Sequence, residues 1–230
     1  MNDRYTSLRN GSLRARSATT VIDSGAQRVL RNTYLLLSLT LAFSAIAAGA
    51  SAALHLPHPG MLLTMVGYFG LLYLVNKNRD SGLGIAFVFA LTGFMGYTLG
   101  PVISFYLHMP NGAQIVMTAL GGTAAIFLGL SGYALVTKRD LTSIGGFLTV
   151  GVLVAFLAGL AAIFFHIPAL SLAVSALFVL LMSGMILFET SNIVRGGETN
   201  YVMATLSLFV SIFNLFTSLL QLLGFASSND

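Results

Sequence analysis

The chain has 230 residues, of which 56% are hydrophobic and only 8% are charged. So few charged side chains cannot coat the surface of a soluble globule of this length, so the composition excludes an ordinary soluble domain and indicates an integral membrane protein. Cysteine is absent, which excludes disulfides, thiolate metal sites and cysteine nucleophiles.

Residues 1–31 are polar and contain six arginines. A polar, basic segment ahead of the first apolar run predicts a flexible cytoplasmic tail. An arginine-rich, acid-poor start is also typical of an organelle transit peptide, which is the alternative at this point. We place the membrane domain at residues 32–225 and a short C-terminal tail at residues 226–230.

Seven apolar runs follow the tail, and most reach the roughly 20 helical residues that cross a hydrocarbon core. The second run is the short one and is expected to thin the bilayer locally or to tilt little. The predicted fold is therefore all-α, with seven transmembrane helices. The runs are Thr33–Leu54, Gly60–Val75, Leu83–Leu107, Ala113–Val136, Ile144–Phe165, Ala169–Ile193 and Tyr201–Gly224.

The links between the runs predict the orientation of the chain. Counting from the N-terminus, every second link carries basic residues, and the remaining links and the C-terminus carry none. Lysine and arginine remain on the cytoplasmic side, so the N-terminus is predicted to be cytoplasmic and the C-terminus to lie on the opposite, outer side. This topology also accounts for the net charge of +4 without nucleic-acid binding. The basic link residues are Lys77, Arg79, Lys138, Arg139 and Arg195.

All four histidines fall in or beside the links of the opposite side, at His55, His58, His108 and His166. Imidazole binds metals and titrates near neutral pH, so a metal or proton-sensing cluster is one interpretation. The other is that neutral histidine simply tolerates the membrane interface. Because no His-x-x-x-His spacing is present, we predict no metal site.

The third run contains Gly100-Pro101. Proline lacks a backbone donor and disturbs the preceding helical turn, so this pair predicts a kink or a break in the helix. A functional discontinuity and a packing kink are both compatible with it. The glycine pairs Gly121-Gly122 and Gly145-Gly146 are expected to let neighbouring helices approach closely.

The last two runs carry the candidate functional site. Glu189 is the one acidic residue well inside an apolar run, and the final run has polar residues spaced four, three, four and three apart. That spacing places them on one helical face, which should point toward other helices or water and so predicts a central last helix. The polar residues are Ser207, Ser211, Asn214, Ser218 and Gln221.

Glu189 lies six residues before Arg195, which places it about 9 Å inward of that charge. Reflection across the link brings Ser207 to the same depth and Ser211 one turn deeper, and Asn192 shares the face of Glu189. A carboxyl removed from water loses the hydration that stabilises its charged form, so Glu189 is a candidate proton sensor. The alternative is a neutral or ion-paired carboxyl that anchors helices. No hydrolase, metalloprotease or phosphate-loop motif is present, so no catalytic residue and no cofactor is predicted.

Three stretches resemble the Bax inhibitor-1 (TMBIM) family, in particular its bacterial branch. They are Phe188-Glu189-Thr190-Ser191-Asn192-Ile193 with Gly196–Tyr201, Leu206–Phe209 with Phe213–Phe216, and Gly96–Ile103 around Gly100-Pro101. The resemblance covers residues 28–225. It implies seven helices with the last one surrounded by the other six, in a bacterial inner membrane.

The resemblance also implies two functions. Family members are described as pH-sensitive calcium leak channels in which two acidic residues on the last two helices share a proton. Glu189 matches the first of these positions, whereas the second falls on Ser211, which is not acidic. Calcium is thus a candidate transported ion rather than a cofactor.

The bacterial branch is linked to the membrane protease FtsH and its HflK/HflC partners, as a substrate that also restrains the protease. The resemblance implies a non-enzymatic modulator of FtsH in membrane-protein quality control, with the pH-sensitive calcium or cation leak as the alternative. A polar tail suits a pulling protease, which needs an unstructured segment to engage. A structural or assembly protein embedded in membrane lipid is a third reading.

Overall fold

The structure, a computed structural model, describes residues 24–137 and 139–227. Within these ranges the regular structure is helical throughout, with seven α-helices and one 3-10 turn at Thr142–Ile144. The helices are α1 Ser24–Ala53, α2 Met61–Lys77, α3 Gly82–Leu107, α4 Gly112–Val136, α5 Gly145–Phe164, α6 Pro168–Val194 and α7 Tyr201–Ser227.

The predicted tail boundary is corrected at Arg31, because α1 already begins at Ser24. Ala26 is buried, and Val29 and Leu30 pack against the hydrophobic core, so this arginine-bearing turn has an apolar side that docks. Residues 1–23, the rest of the predicted tail, lie outside the described residues. At the other end α7 continues to Ser227, so residues 226 and 227 are helical. Residues 228–230 also lie outside the described residues.

Six of the seven helices are long and apolar enough to cross a membrane. The exception is α2, an apolar helix of 17 residues, which is about 25 Å long. The other six have 20 to 30 residues, which matches or exceeds the roughly 30 Å hydrocarbon thickness.

The last helix is the most deeply packed of the six. Half of the residues in its most apolar 18-residue stretch are buried, and no residue from Tyr201 to Gly224 is exposed. It packs against α6, α4, α1 and α3. Phe209, Leu208, Leu215 and Leu220 are almost completely inaccessible. An amphipathic pattern in a membrane helix thus coincides here with burial among helices rather than with exposure.

The links gather at two ends, which we name by their composition. The basic end carries the links at residues 78–81, 137–144 and 195–200, and the histidine end carries those at residues 54–60, 108–111 and 165–167. Each histidine-end link contains one non-glycine residue in the left-handed region: His55, Asn111 and His166, with φ of 50°, 57° and 53°. All four histidines are exposed.

Helix α3 does not break at Gly100-Pro101, because it runs without interruption from Gly82 to Leu107. Proline at position 101 has no N–H to offer the carbonyl of Tyr97, four residues earlier. The Ser51 hydroxyl of α1 donates to that carbonyl at 3.0 Å. A neighbouring helix therefore satisfies the acceptor that proline leaves free, and the helix continues.

Close helix approach occurs between α1 and α3, and also at Gly145 of the predicted glycine pairs, where a Cβ would collide with the Phe188 ring of α6. A Cβ at Gly96 would collide with the backbone carbonyl of Ser44, and one at Gly100 would collide with Ser51. A Cβ at Gly121 would meet nothing within 4 Å. We call the contact of Gly93, Gly96 and Gly100 with α1 the glycine seam.

Candidate functional site

Glu189 lies inside the bundle near the basic end. It is 8% exposed and is the one charged side chain among the buried residues that the structure describes. Five residues separate it from Val194 at the end of α6, which is a depth of about 7.5 Å. The Ser207 hydroxyl of α7 lies close to its carboxyl. This is the contact that reflection across the link between α6 and α7 predicts.

A set of hydroxyl groups joins three helices next to Glu189. The Thr190 hydroxyl lies 3.3 Å from the Ser131 hydroxyl of α4 and 3.5 Å from the Tyr34 hydroxyl of α1. Thr190 is completely buried, so α6 is held to both neighbours through a single side chain. Sequence reasoning missed this residue because threonine also occurs at lipid-facing positions, and only the packing shows which threonine is enclosed.

The hydroxyl of Thr205 on α7 donates to the Tyr201 carbonyl at 2.7 Å and lies 3.3 Å from the Thr33 carbonyl of α1. The Thr33 hydroxyl itself is buried and has no hydrogen-bond partner. The half of α7 nearest the basic end therefore contacts polar groups of both α1 and α6.

The link that follows α6 is fixed by Asn200, which caps α7. Its side-chain oxygen accepts hydrogen bonds from the backbone N–H groups of Val202 and Met203, at 3.0 and 3.1 Å. Its amide nitrogen donates to the Asp80 carboxylate at 2.8 Å and to the Arg79 carbonyl at 3.1 Å. An asparagine directly before an apolar run is a recognised start signal for a helix, and this signal could have identified Asn200 from the sequence.

A second side-chain contact joins the same link to the one at residues 137–144. Arg195 pairs with Asp140 at 3.6 Å, and both side chains are largely accessible. Asp140 accepts hydrogen bonds from the Thr142 hydroxyl and from its backbone N–H, and these bonds, with Arg195, lower the pKa of Asp140. An exposed pair of this kind contributes little to stability. It does, however, place the three basic-end links side by side.

Asn192 does not join the Glu189 cluster in the way its spacing predicts. Its side-chain oxygen lies against Gly197, and its carbonyl accepts from the N–H groups of Gly197 and Glu198 at 2.9 and 3.4 Å. Asn192 therefore closes the C-terminus of α6, where free carbonyls need donors. The spacing of Asn192 from Glu189 did not indicate this role at the end of the helix.

The polar face of α7 divides into two parts along the helix. Ser207 contacts Glu189, and Ser211 is 2% exposed between helices. Asn214 lies 13 residues past Tyr201, about 20 Å from the start of α7, and its amide donates to the Val210 carbonyl at 2.8 Å. Gln221 bonds the hydroxyls of Ser175 and Ser171 of α6 at 2.7 and 2.6 Å.

Two adjoining cavities lie beside the second part of this face. The central cavity, about 510 Å³, is enclosed by α2, α3, α5, α6 and α7. The outer cavity, about 270 Å³, lies toward the histidine end between α5, α6 and α7. Phe156, Phe178 and Asn214 line both of them. Neither Glu189 nor the pair Gly100-Pro101 lines either cavity.

The described residues contain no group of three or more histidine, cysteine or acidic side chains close enough to hold a metal ion. The chemistry that the site offers is therefore that of one enclosed carboxyl, a set of neutral hydroxyls, and two cavities with an amide at their junction.

Fold and site together define a multi-pass helical membrane protein whose last two helices enclose a carboxyl. The chain belongs to the Bax inhibitor-1 family, because the family model described as "Inhibitor of apoptosis-promoting Bax1" matches residues 26–229. This match spans every described helix apart from the first two residues of α1.

Relatives with high identity support the same assignment. The chain is 56% identical over 200 residues to "Modulator of FtsH protease YccA" of Escherichia coli K12, covering 87% of this chain and 91% of the relative. The same identity and coverage hold for "Inner membrane protein YccA" of a second Escherichia coli strain, CFT073. An uncharacterized membrane protein of Vibrio cholerae is 45% identical, over 88% of this chain and 92% of its own length. No enzymatic family is indicated.

Proposed function

We propose that this protein modulates the FtsH protease in a bacterial inner membrane. The observation that carries the proposal is the 56% identity, across nearly the whole chain, to a protein named for that role. The name of a relative from another strain supports the same membrane. The multi-pass helical architecture is compatible with a partner that is itself bound to the membrane.

The proposed topology has all seven helices crossing the bilayer, with the basic end in the cytoplasm and the C-terminus in the periplasm. The distribution of lysine and arginine supports it. The 17-residue helix α2 needs the bilayer to thin slightly around it. We also propose that α7 forms the centre of the bundle, which its burial on all sides supports.

A finer part of the proposal is that the protein is also a substrate of FtsH and associates with HflK/HflC. The polar segment ahead of α1 is the proposed site of engagement, and the start of α1 at Ser24 sets the limit of a clean truncation. Removal of residues 1–22 leaves every described helix intact.

The test compares the full chain with the chain lacking residues 1–22, each purified from bacterial membranes with a C-terminal affinity tag. We expect FtsH, HflK and HflC to co-purify with both forms, and we expect slower degradation of the truncated form. A chain in which residues 1–22 are shuffled is the matched control and should be degraded at the original rate. The proposal is contradicted if FtsH is absent from both preparations and if the presence of this protein leaves the degradation of another FtsH substrate unchanged.

A second candidate function, a pH-sensitive calcium or cation leak, is favoured by one observation: the Glu189 carboxyl is buried among the membrane helices, next to Ser207. Charged groups inside the membrane are costly and are retained mainly where they act. In this proposal Glu189 senses protons, with Ser207 as its direct partner and Ser211 and Asn214 further along the same face.

Calcium flux into liposomes, measured against pH, tests this candidate. We expect Glu189→Gln to abolish the pH response, because the amide cannot titrate, and Ser207→Ala to shift it. Asp140→Asn, which changes an exposed link carboxylate, is the control and should leave it unchanged. A pH response that persists in Glu189→Gln excludes Glu189 as the sensor, and absence of flux in the unaltered protein excludes the leak.

A further inference from the structure

The two cavities beside α7 form one amphipathic space, which shares Asn214 with the residues of the proposed leak. Their shared lining at Phe156, Phe178 and Asn214 means that they adjoin midway along the bundle. One side of this junction is apolar and the other is rich in hydroxyl and amide groups. A space with these two parts has the polarity of a single amphiphilic molecule.

The central cavity is the apolar part, and it opens sideways. Its walls are mainly phenylalanine, methionine, valine and leucine side chains. Phe69 of α2 and Leu153 of α5 line it and are also 49% and 57% exposed, so its opening lies between these two helices. The rings of Phe69 and Phe156 pack edge to face beside this opening, and their centroids are 6.4 Å apart. A lateral opening among membrane helices faces acyl chains.

The outer cavity has the larger share of polar groups, and it lies toward the histidine end. Gln221 and the two serines it bonds, Ser171 and Ser175, line it together with Thr217 and Ser218. Among the described residues no charged side chain lines either cavity. A charged head group would be transferred there without a countercharge, which is costly. Hydroxyls and amides instead favour a neutral, hydroxyl-bearing group.

The size of the central cavity suits an acyl chain. It has about 510 Å³, which is within the range of small-molecule sites.

We propose that this space binds a single-chain amphiphile with an uncharged, hydroxyl-bearing head group, a lipid of the monoacylglycerol class. The acyl chain enters between α2 and α5 and fills the central cavity. The head group lies in the outer cavity, hydrogen-bonded to Gln221, Ser171 and Ser175, with Asn214 at the junction. This proposal does not depend on the FtsH or leak functions.

The test uses native mass spectrometry of the full chain in detergent, titrated with 1-oleoylglycerol. Val152→Phe places a ring in the central cavity, and Val154→Phe places the same ring on the exposed side of the same helix. We expect affinity to fall roughly tenfold or more for Val152→Phe and to be unchanged for Val154→Phe. Val210→Phe, which fills the cavity from α7, gives the same reading if Val152→Phe does not fold.

Head-group selection is measured with oleate and with oleoyl lysophosphatidylglycerol as competitors. We expect 1-oleoylglycerol to bind more tightly than either, and Gln221→Leu to remove that preference. Gln114→Leu, on the exposed surface near the same end, is the control. Equal binding by the cavity-filled and unaltered proteins overturns the proposal, as does a preference for the charged lipids. The proposal is also overturned if cross-linking at position 152 captures a polypeptide segment rather than a lipid.

Discussion

The two sides of α3 are built in opposite ways. On one side the glycine seam brings α3 so close to α1 that a Cβ at Gly96 or Gly100 would overlap atoms of α1, including backbone carbonyls. On the other side α3 faces the central cavity, where Phe94 and Met95 leave about 510 Å³ unfilled. Small residues permit close backbone approach, whereas bulky residues on separate helices hold a space open. The comparison contrasts a close backbone contact at the glycine seam with side-chain packing that leaves space at the central cavity.

The largest expected effect is at the seam itself. Gly96→Ala forces a methyl group against the Ser44 backbone carbonyl, which cannot rotate away. We expect a loss of about 2–3 kcal/mol in the free energy of unfolding, measured in mixed micelles. Gly121→Ala, whose Cβ meets nothing within 4 Å, should instead leave stability unchanged or slightly raised. Similar losses for both variants contradict a close seam.

The second effect concerns the carbonyl that Pro101 leaves free. Ser51→Ala removes the hydroxyl that donates to Tyr97, so the buried acceptor is left unpaired at a cost of about 1–2 kcal/mol. In a Pro101→Ala background the restored N–H can pair with the same carbonyl, so Ser51→Ala should cost less. A double-mutant cycle in the same unfolding assay measures this coupling, and additive losses would show that the two residues act independently.

The third effect repeats the glycine test on the cavity side. A Cβ at Gly67 of α2 would lie 2.6 Å from the tip of the Phe94 ring, a side chain that lines the central cavity and has room to turn. We therefore expect Gly67→Ala to cost less than about 1 kcal/mol, well below Gly96→Ala. A loss as large as that of Gly96→Ala would mean that this side is as tightly packed as the seam.

The smallest effect is expected for Val152→Phe, which adds volume to the space between α2 and α5. Where a cavity already exists, added apolar atoms find room, so stability should change by less than about 0.5 kcal/mol in either direction. Thermal unfolding in detergent without added lipid measures it. A strongly destabilised Val152→Phe protein would show that the cavity closes in solution.

Much of the fold could be predicted from the sequence. Hydrophobic run length predicted each of the seven α-helices in the described part of the chain, with bounds within a few residues for α2 to α7, because burial in lipid demands continuous apolar stretches. The start of α1 was misplaced because Arg28 and Arg31 resemble a solvated tail, yet the apolar side of the same turn docks on the core. At Gly100-Pro101 the local chemistry predicted a kink or a break in the helix. The helix does not break there, and a serine of another helix supplies the donor that proline lacks.

The candidate site was only partly predictable. Periodicity showed that the polar residues of α7 share one face and that Ser207 reaches the depth of Glu189. It did not show that Thr190 joins α1 and α4, or that Asn192 bonds the link instead of the cluster. These outcomes depend on which of several equally spaced polar groups lies next to a hydrogen-bonding partner, and the partners come from distant parts of the chain.

The sequence by itself therefore determined the class of protein, the approximate limits of the apolar helices that the structure describes, and the amphipathic character of α7, because each of these follows from the local exchange of water for lipid. The tertiary structure alone decided which glycines lie at a helix contact, which hydroxyls enclose Glu189, and where the bundle leaves an empty space. Those features depend on the distance and rotation between helices, which arise from the packing of all seven together and are encoded in no single stretch.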